Sequence, residues 1–331
     1  MRQPFKRNHL QHALAVSRWM DAHGAKGGQD PRNMLMEIEL GGITQRFYPQ
    51  FTVAVEGGGM VFIAQLQPGV NGFVGWYPFT PKGWPIAQSK LEFKTFTQRT
   101  GLRTPAWTHD PKEAKGAFLV KTHISSLGKG QRGPFFAPPH PAPQPIIELA
   151  DGEYCEQFIA GKILKAWYWC DQLAVVEVVD MPYVEGDGVH TVTELLQQST
   201  QQTNNKPIAE LLQLQGGSAT SIPAKGERVS TAYQYMDEAN PALYADYNCM
   251  SRIQGTALET QLRQAGQLCW QEVPQDKREG GCITSLDGIV DSRGKVWFLE
   301  ANCNPLLHPA FYEPMLNATF KTTPIQDTNP S

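Results

Sequence analysis

The sequence predicts an α+β fold in which a smaller, β-rich N-terminal domain precedes a larger second domain. Its 331 residues are enough for about two domains. Short β-rich runs separated by glycines fill residues 34–79, and three prolines punctuate residues 78–85. After that stretch, helices with start signals alternate with paired strands. We therefore place the first domain at 1–87, the second at 88–320 and a flexible polar tail at 321–331.

The composition indicates a globular protein that binds neither nucleic acid nor membranes. Hydrophobic residues make up 41% of the chain and charged residues 18%, which provides material for a core and excludes disorder for most of its length. The 29 basic and 32 acidic residues give a net charge of −3, so no basic field attracts polyanions. No apolar run approaches the roughly 18 residues of a spanning helix, and the N-terminus lacks the apolar segment of a secretory signal.

The six cysteines are scattered and form no C-x-x-C pair. This spacing argues against a zinc site or a disulfide framework. A reducing compartment, the cytoplasm, fits the sequence best. We interpret the cysteines as small core residues and assign none of them as a nucleophile.

Several helices have recognisable signals. The spacing predicts a helix over residues 8–22, with Leu10, Leu14 and Met20 near one face. In the second domain the capping boxes S-x-x-E at residues 89–92 and T-x-x-E at 191–194 each open a helix. A long helix is predicted over residues 251–270. Strands are predicted at residues 117–124 and 153–159 and in the runs KILKAWYWC and QLAVVEVV.

A lysine in a predicted strand precedes a glycine-rich loop. Lys121 is followed by SSLGKGQRG, in which residues 128–133 fit G-x-G-x-x-G. A dinucleotide site requires this loop to open a helix, but Pro134 and its neighbours prevent one. A strand–loop–strand flap remains, whose N–H groups would cover phosphates while Lys121 neutralises them. The alternative is a flexible surface turn with an exposed lysine.

Three oxygen donors lie on a predicted C-terminal hairpin. Glu300 and Asn302 are two residues apart on a strand and therefore share a face. A two-residue loop within a type I turn at 291–294 would place Asp287 opposite Phe298, on that same face. A three-residue bulged loop would turn Asp287 away. The three donors suit magnesium that is already bound to a nucleotide, and the alternative is an edge hairpin with solvated acids.

Two weaker features complete the set. The strand EYCEQFIAG ends in glycine, so its backbone could bond a purine edge while Ile159 forms an apolar wall; an ordinary core strand is the alternative. His308, between two prolines, could contact an anionic substrate or be an ordinary loop histidine.

Taken in order, these motifs resemble the ATP-grasp superfamily of carboxylate–amine ligases over roughly residues 88–318. The segments that carry the resemblance are SKLEFKTFTQRTGLRTPAW, FLVKTHISSLGKGQRG, EQFIAGK and LDGIVDSRGKVWFLEANCNP. Within the superfamily, VEGDGVHTVTELL and GGSATSIPAKGERV look most like the ATP-grasp part of cyanophycin synthetase. D-alanine–D-alanine ligase and bacterial glutathione synthetase are more distant likenesses.

The resemblance implies a fold of two α/β lobes whose antiparallel sheets clamp ATP. It implies ATP and two Mg²⁺ ions as cofactors, and an amide bond formed through an acylphosphate from an amino acid or small peptide. The residues implied to bind ATP are Lys94 (with Lys90 as a second candidate), Lys121, Ser125, Ser126, Gly128, Lys129, Gly130, Glu156, Gln157 and Ile159. Those implied to bind magnesium are Asp287, Glu300 and Asn302, and those implied to act in catalysis are Lys121, Ser126 and Glu300.

The resemblance also implies small-molecule carboxylate and amine substrates, and dimers are common in the family, which leaves a homodimer open. Departures from the family pattern occur at Ile163, where relatives hold ribose with an acid, and at Asp180 and Ser285, where they carry arginines. Two other functions therefore stay open: a non-catalytic ATP-binding module or sensor, and a small-molecule kinase on the same scaffold.

Overall fold

The computed structural model describes residues 3–54, 60–124, 130–137, 146–199, 208–233 and 248–322, without the side chains of residues 3–8 and 60. Within these ranges the chain forms helices and antiparallel sheets. The α+β class predicted from the sequence is therefore confirmed. No helix in the described ranges is both long and apolar enough to cross a bilayer.

The N-terminal part consists of one helix packed on a five-stranded sheet. The elements are α1 (Gln3–His23), β1 (Lys26–Gln29), β2 (Met36–Leu40), β3 (Ile43–Ala54), β4 (Met60–Ile63) and β5 (Val70–Tyr77). The strand order is β1-β2-β3-β4, and β5 also pairs with the long strand β3. Every pairing is antiparallel, and Gly41 and Gly42 form the tight turn between β2 and β3.

The buried face of α1 differs from the predicted one. Leu10 and Leu14 are exposed, whereas His12, Val16 and Trp19 are buried against the sheet. Because these three residues follow a helical spacing of three and four, they form one stripe. The sequence prediction failed because a polar residue, His12, lies on the buried face. Its burial is tolerated because its ring is hydrogen-bonded to the buried hydroxyl of Tyr312.

A second sheet follows α2 (Lys90–Thr100). The helix begins after Ser89 and ends at Gly101 in the left-handed region, as predicted. Of the predicted capping box the structure records the half in which Ser89 accepts a hydrogen bond from the Glu92 N–H. The strands are β6 (Trp107–Thr108), β7 (Ala117–Thr122), β8 (Arg132–Phe136) and β9 (Glu153–Gln157), in the order β6-β9-β7-β8.

The third sheet has four strands in the order β11-β10-β14-β15. The remaining elements are β10 (Lys162–Trp169), β11 (Gln172–Val179), β12 (Tyr183–Glu185), α3 (Val192–Gln198), α4 (Ala209–Leu214), β13 (Arg228–Ser230), α5 (Met250–Ile253), α6 (Ala257–Gln271), α7 (Gln275–Arg278), β14 (Ile283–Val290), β15 (Val296–Cys303) and α8 (Tyr312–Phe320). Strands β12 and β13 pair with each other and share a small apolar core with α3 and α4. The capping box of α3 is present as predicted.

The single helix predicted over residues 251–270 is wrong, because the structure contains α5 and α6 instead. Gly255 adopts a φ of 74° between them, a conformation that ends a helix. Thr256 then caps α6 by accepting from the Glu259 N–H. The N-cap of α6, Thr256, therefore lies within the stretch that the hydrophobic pattern indicates as one helix.

The C-terminal helix α8 packs against the N-terminal part of the chain. Phe320 and Met315 belong to the same buried cluster as Trp19 of α1 and Phe47 of β3. Trp19 also donates its indole N–H to Asn317 Oδ1 at 2.7 Å. The division of domains at residues 87 and 88 stays a prediction, as does the flexible tail, of which residues 323–331 lie outside the described ranges.

Candidate active site

A cleft of about 760 Å³ is lined by residues of both four-stranded sheets, by the start of α2 and by the N-terminal sheet. Its volume lies within the roughly 300–1,000 Å³ usual for small-molecule sites. Most of the predicted site residues that the structure describes line this cleft: Lys121, Glu156, Gln157, Ile159, Asp287, Glu300 and Asn302. The cleft has a charged middle and an apolar end.

The hairpin β14–β15 places Asp287 directly opposite Glu300, not opposite Phe298 as predicted. Gly288 pairs with Phe298, so Leu299 is an extra residue in the ladder between the two pairs. Such a bulge shifts the register by one residue and changes which side chains share a face. Without it, Asp287 would lie opposite Leu299 and point away from Glu300.

The loop of this hairpin explains why the bulge is needed. Val290 pairs with Val296, so the loop has an odd number of residues. A loop of this kind was expected to turn Asp287 away from the face of Glu300. The turn itself is as predicted, since the Gly294 N–H donates to the Asp291 carbonyl at 2.9 Å. Loop and bulge together restore the common face of the two carboxylates.

Each acid of the hairpin is bound by a lysine from another element. Lys165 Nζ lies 2.6 Å from Asp287 Oδ1, and Lys90 Nζ lies 2.9 Å from Glu300 Oε2. Asn302 Nδ2 donates to Asp287 Oδ2 at 3.1 Å. Burial raises the pKa of Asp287, and the facing Glu300 adds to this. Burial opposes ionisation of Glu300 too, but Lys90, together with Lys121 and Lys165, outweighs it and lowers the Glu300 pKa.

These residues fit magnesium as part of a larger coordination shell. Two carboxylates and one amide converge, and oxygen donors of this kind suit Mg²⁺. Within the described residues, no group of three or more His, Cys, Asp or Glu side chains could hold a metal ion by itself. A metal at this hairpin would therefore need further oxygens, such as those of a phosphate chain.

The acids and lysines form a row across the third sheet. Glu177 on β11 pairs with Lys165, Lys165 with Asp287, and Asp287 with Glu300. Residues paired in this way project on one face of the sheet. Sequence reasoning missed Lys165. Its signal is the alternation of KILKAWYW, which places Lys165 on the same face as Ile163 and Trp167.

Glu156 lies between two lysines on the opposite side of the cleft. Its carboxylate is 2.6 Å from Lys94 Nζ and 2.5 Å from Lys121 Nζ. Burial opposes ionisation of Glu156, but Lys121 and Lys94 outweigh it and lower its pKa to about 2. Burial lowers the pKa of Lys94, although Glu156 opposes that shift.

The lysines of α2 and β7 differ in their access to the cleft. Lys121 lines it, whereas Lys94 is fully buried and is not part of the wall. Lys94 instead donates to Thr104 Oγ1 at 2.5 Å. Lys90, one turn earlier in α2, lines the cleft. The geometry therefore places Lys90 where Lys94 was expected, and Lys94 in a position to hold Glu156.

The other end of the cleft is apolar. Ile163, Met181 and Ile289 form a buried cluster there, with Phe158, Ile159 and Leu299 packed against it. Ile163, one of the three departures from the pattern that the sequence resembles, is part of this wall. Gln157 lies beside it on β9. The end is suited to a flat ring with a polar edge rather than to a charged group.

The two strands of the predicted flap are present and paired. Strands β7 and β8 are antiparallel neighbours on either side of the glycine-rich loop. Gly130 has a φ of 75°, and a Cβ there would lie 2.9 Å from Thr122 Oγ1, so the loop returns close to β7. Ser125, Ser126, Gly128 and Lys129 lie outside the described residues.

His308 is buried against an acid and does not line the cleft. Its Nδ1 accepts from the Ala310 N–H, and its Nε2 lies 3.3 Å from Glu177 Oε1. Both side chains are fully buried. Burial raises the pKa of Glu177 to about 8. The expectation that His308 contacts an anionic substrate has no support in this geometry.

The other two positions that depart from the family pattern, Ser285 and Asp180, differ in burial. Ser285 is buried opposite Asn302, and its Oγ has no hydrogen-bond partner among the described residues. Asp180 lies at the surface, 3.1 Å from Lys162 Nζ and 3.4 Å from Arg228 Nη1. Neither position brings a cation into the cleft.

Comparisons with known proteins find only distant likenesses. No family model and no curated protein matches the sequence. A bifunctional glutathione synthetase from Pasteurella multocida is 14% identical, with a TM-score of 0.42 over 94% of this chain and 43% of its own. D-alanine–D-alanine ligase from Bacillus anthracis complexed with ATP is 12% identical, with a TM-score of 0.34 over 72% of this chain and 66% of its own. L-amino acid ligase from Bacillus licheniformis is 12% identical, with a TM-score of 0.30 over 67% of this chain and 42% of its own.

This chain thus spans less than half the length of the first of these proteins. Likenesses with such low identities and TM-scores carry no argument about activity.

Proposed function

We propose that this chain is an ATP-dependent carboxylate–amine ligase of the ATP-grasp type, in which two antiparallel sheets hold ATP between them. The observation that carries the proposal is the cleft itself. Lys121 and Lys90 lie in its wall together with the facing pair Asp287 and Glu300. Cations and closely spaced carboxylates in one cleft suit a triphosphate bound with a divalent cation.

In this proposal the nucleotide runs from the apolar end to the charged middle of the cleft. The purine lies between Ile159, Ile163 and Met181, with its polar edge at the backbone of β9. The phosphates then reach Lys121 and Lys90. The supporting feature is the position of Glu156, which binds Lys121 and precedes Phe158 and Ile159 of the apolar end by two and three residues.

The lysines of the cleft are held in place by acids. Lys121 is bound by Glu156, Lys90 by Glu300 and Lys165 by Asp287. Ammonium groups that are positioned in advance stabilise developing charge without reorganising during the reaction. Asp287, Glu300 and Asn302 would hold Mg²⁺, which when bound neutralises charge on the phosphate oxygens.

The proposed reaction has two steps. An oxygen of the substrate carboxylate attacks the γ-phosphorus of ATP, and ADP leaves from an acylphosphate. The amine nitrogen then attacks the acyl carbon, the bond from that carbon to the phosphate oxygen breaks, and inorganic phosphate leaves while the amine proton passes to solvent. The chain supplies positioning, charge neutralisation and, through the flap formed by β7 and β8, exclusion of water from the acylphosphate. No side-chain nucleophile is required.

The six cysteines are all free, which supports the proposed cytoplasmic location of this enzyme. The proposed partners are a small-molecule carboxylate and a small-molecule amine. A homodimer is also part of the proposal, and the molar mass in solution tests it.

The test is an assay of ADP release with a panel of amino acids and dipeptides, followed by mass analysis of the products. The proposal predicts ADP release that requires both a carboxylate and an amine, together with a product whose mass equals their sum less one water. A stable phosphorylated product without an amide would instead identify a kinase. Measurable ATP binding with no turnover in the whole panel would identify a non-catalytic module.

A further inference from the structure

The N-terminal sheet contributes a wall to the cleft that the nucleotide does not use. Gln50 on β3, Phe62 on β4 and the nearby Ala64 line it, and Leu306 and Leu307 after β15 lie beside them. Thr52 pairs with Phe62, so Gln50, Thr52 and Phe62 project on one face of the sheet, opposite the face that packs on α1. We call these five cleft residues, Gln50, Phe62, Ala64, Leu306 and Leu307, the N-terminal wall.

Leu307 is fixed to this sheet by the backbone. Its N–H donates to the Val74 carbonyl at 2.9 Å. A Cβ on Gly75 would lie 2.7 Å from the Leu307 side chain, so only glycine allows the leucine to pack there. Gly75 is the partner of Gln50 in the ladder. Leu307 therefore packs against the backbone partner of Gln50, a few residues after the end of β15.

Gln50 supplies a hydrogen-bond donor without a partner. Its side chain is only 2% exposed although it lines the cleft, and Nε2 has no hydrogen-bond partner among the described residues. A buried donor that is left unpaired destabilises the protein. Binding of a ligand oxygen at this position would recover that cost, so the amide indicates where a polar group of a substrate lies.

The rest of the N-terminal wall is apolar. Phe62 is 41% exposed, a large area for an aromatic ring in a concave surface. None of the five residues of the N-terminal wall is charged. A charged substrate side chain would lose its hydration there without gaining a counter-ion, which is costly, whereas an aliphatic or aromatic one would bury apolar area.

We propose that the N-terminal wall binds the side chain of an amino-acid substrate, that this side chain is uncharged and apolar, and that Gln50 Nε2 donates to a carbonyl or carboxylate oxygen of the same substrate. This inference deepens the proposed ligase function and rests on it. The substrate class is that of leucine, isoleucine, methionine and phenylalanine.

The first test compares leucine with asparagine and aspartate, which have nearly the same shape. Steady-state ADP release with saturating ATP and Mg²⁺ gives kcat/KM for each, in the presence of a fixed panel of partner substrates. We expect kcat/KM for leucine to exceed that for aspartate by roughly 100-fold or more, with asparagine in between. Equal values, or a preference for aspartate or lysine, would overturn the inference.

The second test changes the wall. Gln50→Leu keeps the approximate shape but removes the donor, so the affinity for leucine should fall by about 10-fold or more, measured by calorimetry with a non-hydrolysable ATP analogue present. Phe62→Asp should weaken leucine binding and improve lysine binding. Gln98→Leu, on the exposed surface of α2, is the matched control and should change neither.

The two levels of the proposal fail in different ways. If the ATP analogue does not bind the unmodified protein, the ligase function itself is wrong. If the analogue binds normally but Gln50→Leu and Phe62→Asp leave the affinities for leucine and lysine unchanged, only the assignment of the N-terminal wall is wrong. Unchanged binding of the analogue by both variants shows that they are folded.

Discussion

Asp287 and Glu300 lie directly opposite each other on β14 and β15, and each carboxylate is bound by a lysine that comes from a different part of the fold. Two like charges at paired positions of a hairpin are unfavourable unless cations compensate them. Here Lys165 and Lys90 supply that compensation. The pair is therefore stable without a metal, yet its oxygens converge where a cation with phosphate ligands would fit.

Replacing Glu300 should abolish turnover without unfolding the protein. In Glu300→Ala we expect ADP release to fall by more than about 100-fold, since loss even of an outer-shell partner of a metal ligand costs about 10–100-fold. Glu300 is about a quarter exposed, so thermal unfolding should change little. Full activity in this variant would show that the hairpin is only structural.

Lys121 and Lys94 should have separable roles although both bind Glu156. Lys94→Met leaves the buried Glu156 with one partner fewer and should lower the free energy of unfolding by about 3–5 kcal/mol, as measured by chemical denaturation. Lys121 faces the cleft, so in Lys121→Met water can reach the Glu156 oxygen that has lost its ammonium partner. This substitution should mainly weaken binding of an ATP analogue, by about 10-fold or more.

The control for both lysine variants is Cys155→Ala, which changes the residue next to Glu156 on the other face of β9. Analogue affinity should be retained in this variant. If Lys94→Met and Lys121→Met lose affinity equally, the distinction between a positioning lysine and a nucleotide-binding lysine is incorrect.

Glu177 should make the stability of the protein depend on pH. Burial raises its pKa from the usual 4.5 to about 8, so between these values the folded protein holds a proton that the unfolded chain has released. The free energy of unfolding therefore decreases as the pH rises from about 4.5 to 8. The Gln side chain of Glu177→Gln cannot lose a proton. The free energy of unfolding of this variant should therefore increasingly exceed that of the unmodified protein across this range.

Urea unfolding at pH 5 and pH 8 measures this effect. We expect the Glu177→Gln advantage to reach at least about 1.4 kcal/mol at pH 8, the value of one pKa unit. Glu39→Gln, an exposed substitution on β2, should show no such trend. A constant difference between Glu177→Gln and the unmodified protein at both pH values would mean that Glu177 is ionised throughout.

Lys82 should contribute strongly to stability although it lies in a connecting segment. Its ammonium donates to the carbonyls of Lys277, Glu279 and Gly281 at 2.9, 2.6 and 2.6 Å. These contacts tie the segment before α2 to the end of α7. Lys82→Met should lower the free energy of unfolding by about 1.5–3 kcal/mol, the scale of a hydrogen bond to a charged group.

The comparison for Lys82→Met is Lys115→Met, at an exposed position, which should stay within about 0.5 kcal/mol of the unmodified protein. Denaturant unfolding of the two variants side by side decides the matter. Equal stability of both would show that the three carbonyl contacts of Lys82 are replaced by water at no cost.

The sequence predicts those features that depend on local spacing. Alternation along a strand placed Glu300 and Asn302 on one face, and the S-x-x-E pattern located the start of α2 at Ser89. The bulge at Leu299 has no comparable local signal, because a ladder shift depends on both strands. The predicted partner of Asp287 was wrong because the loop and the bulge both shift the ladder, even though its face was right.

Features that depend on contacts distant in sequence were the ones missed. Glu156 was expected among the ATP-binding residues from its place in a hinge motif, but its position between Lys94 of α2 and Lys121 of β7 depends on residues far away in the chain. The burial of His12 and of Glu177 likewise depends on partners far away in the chain. A hydrophobic pattern cannot indicate such pairs.

The most direct test of the account is calorimetric titration of an ATP analogue, with and without Mg²⁺, into the unmodified protein and Asp287→Asn/Glu300→Gln. Without metal the two carboxylates repel the phosphates, so the neutral variant should bind the analogue more tightly; with Mg²⁺ the variant lacks the ligands and should bind it more weakly. The account predicts this reversal of order. If both conditions shift the affinity in the same direction, or not at all, the acidic hairpin does not hold a metal on the nucleotide.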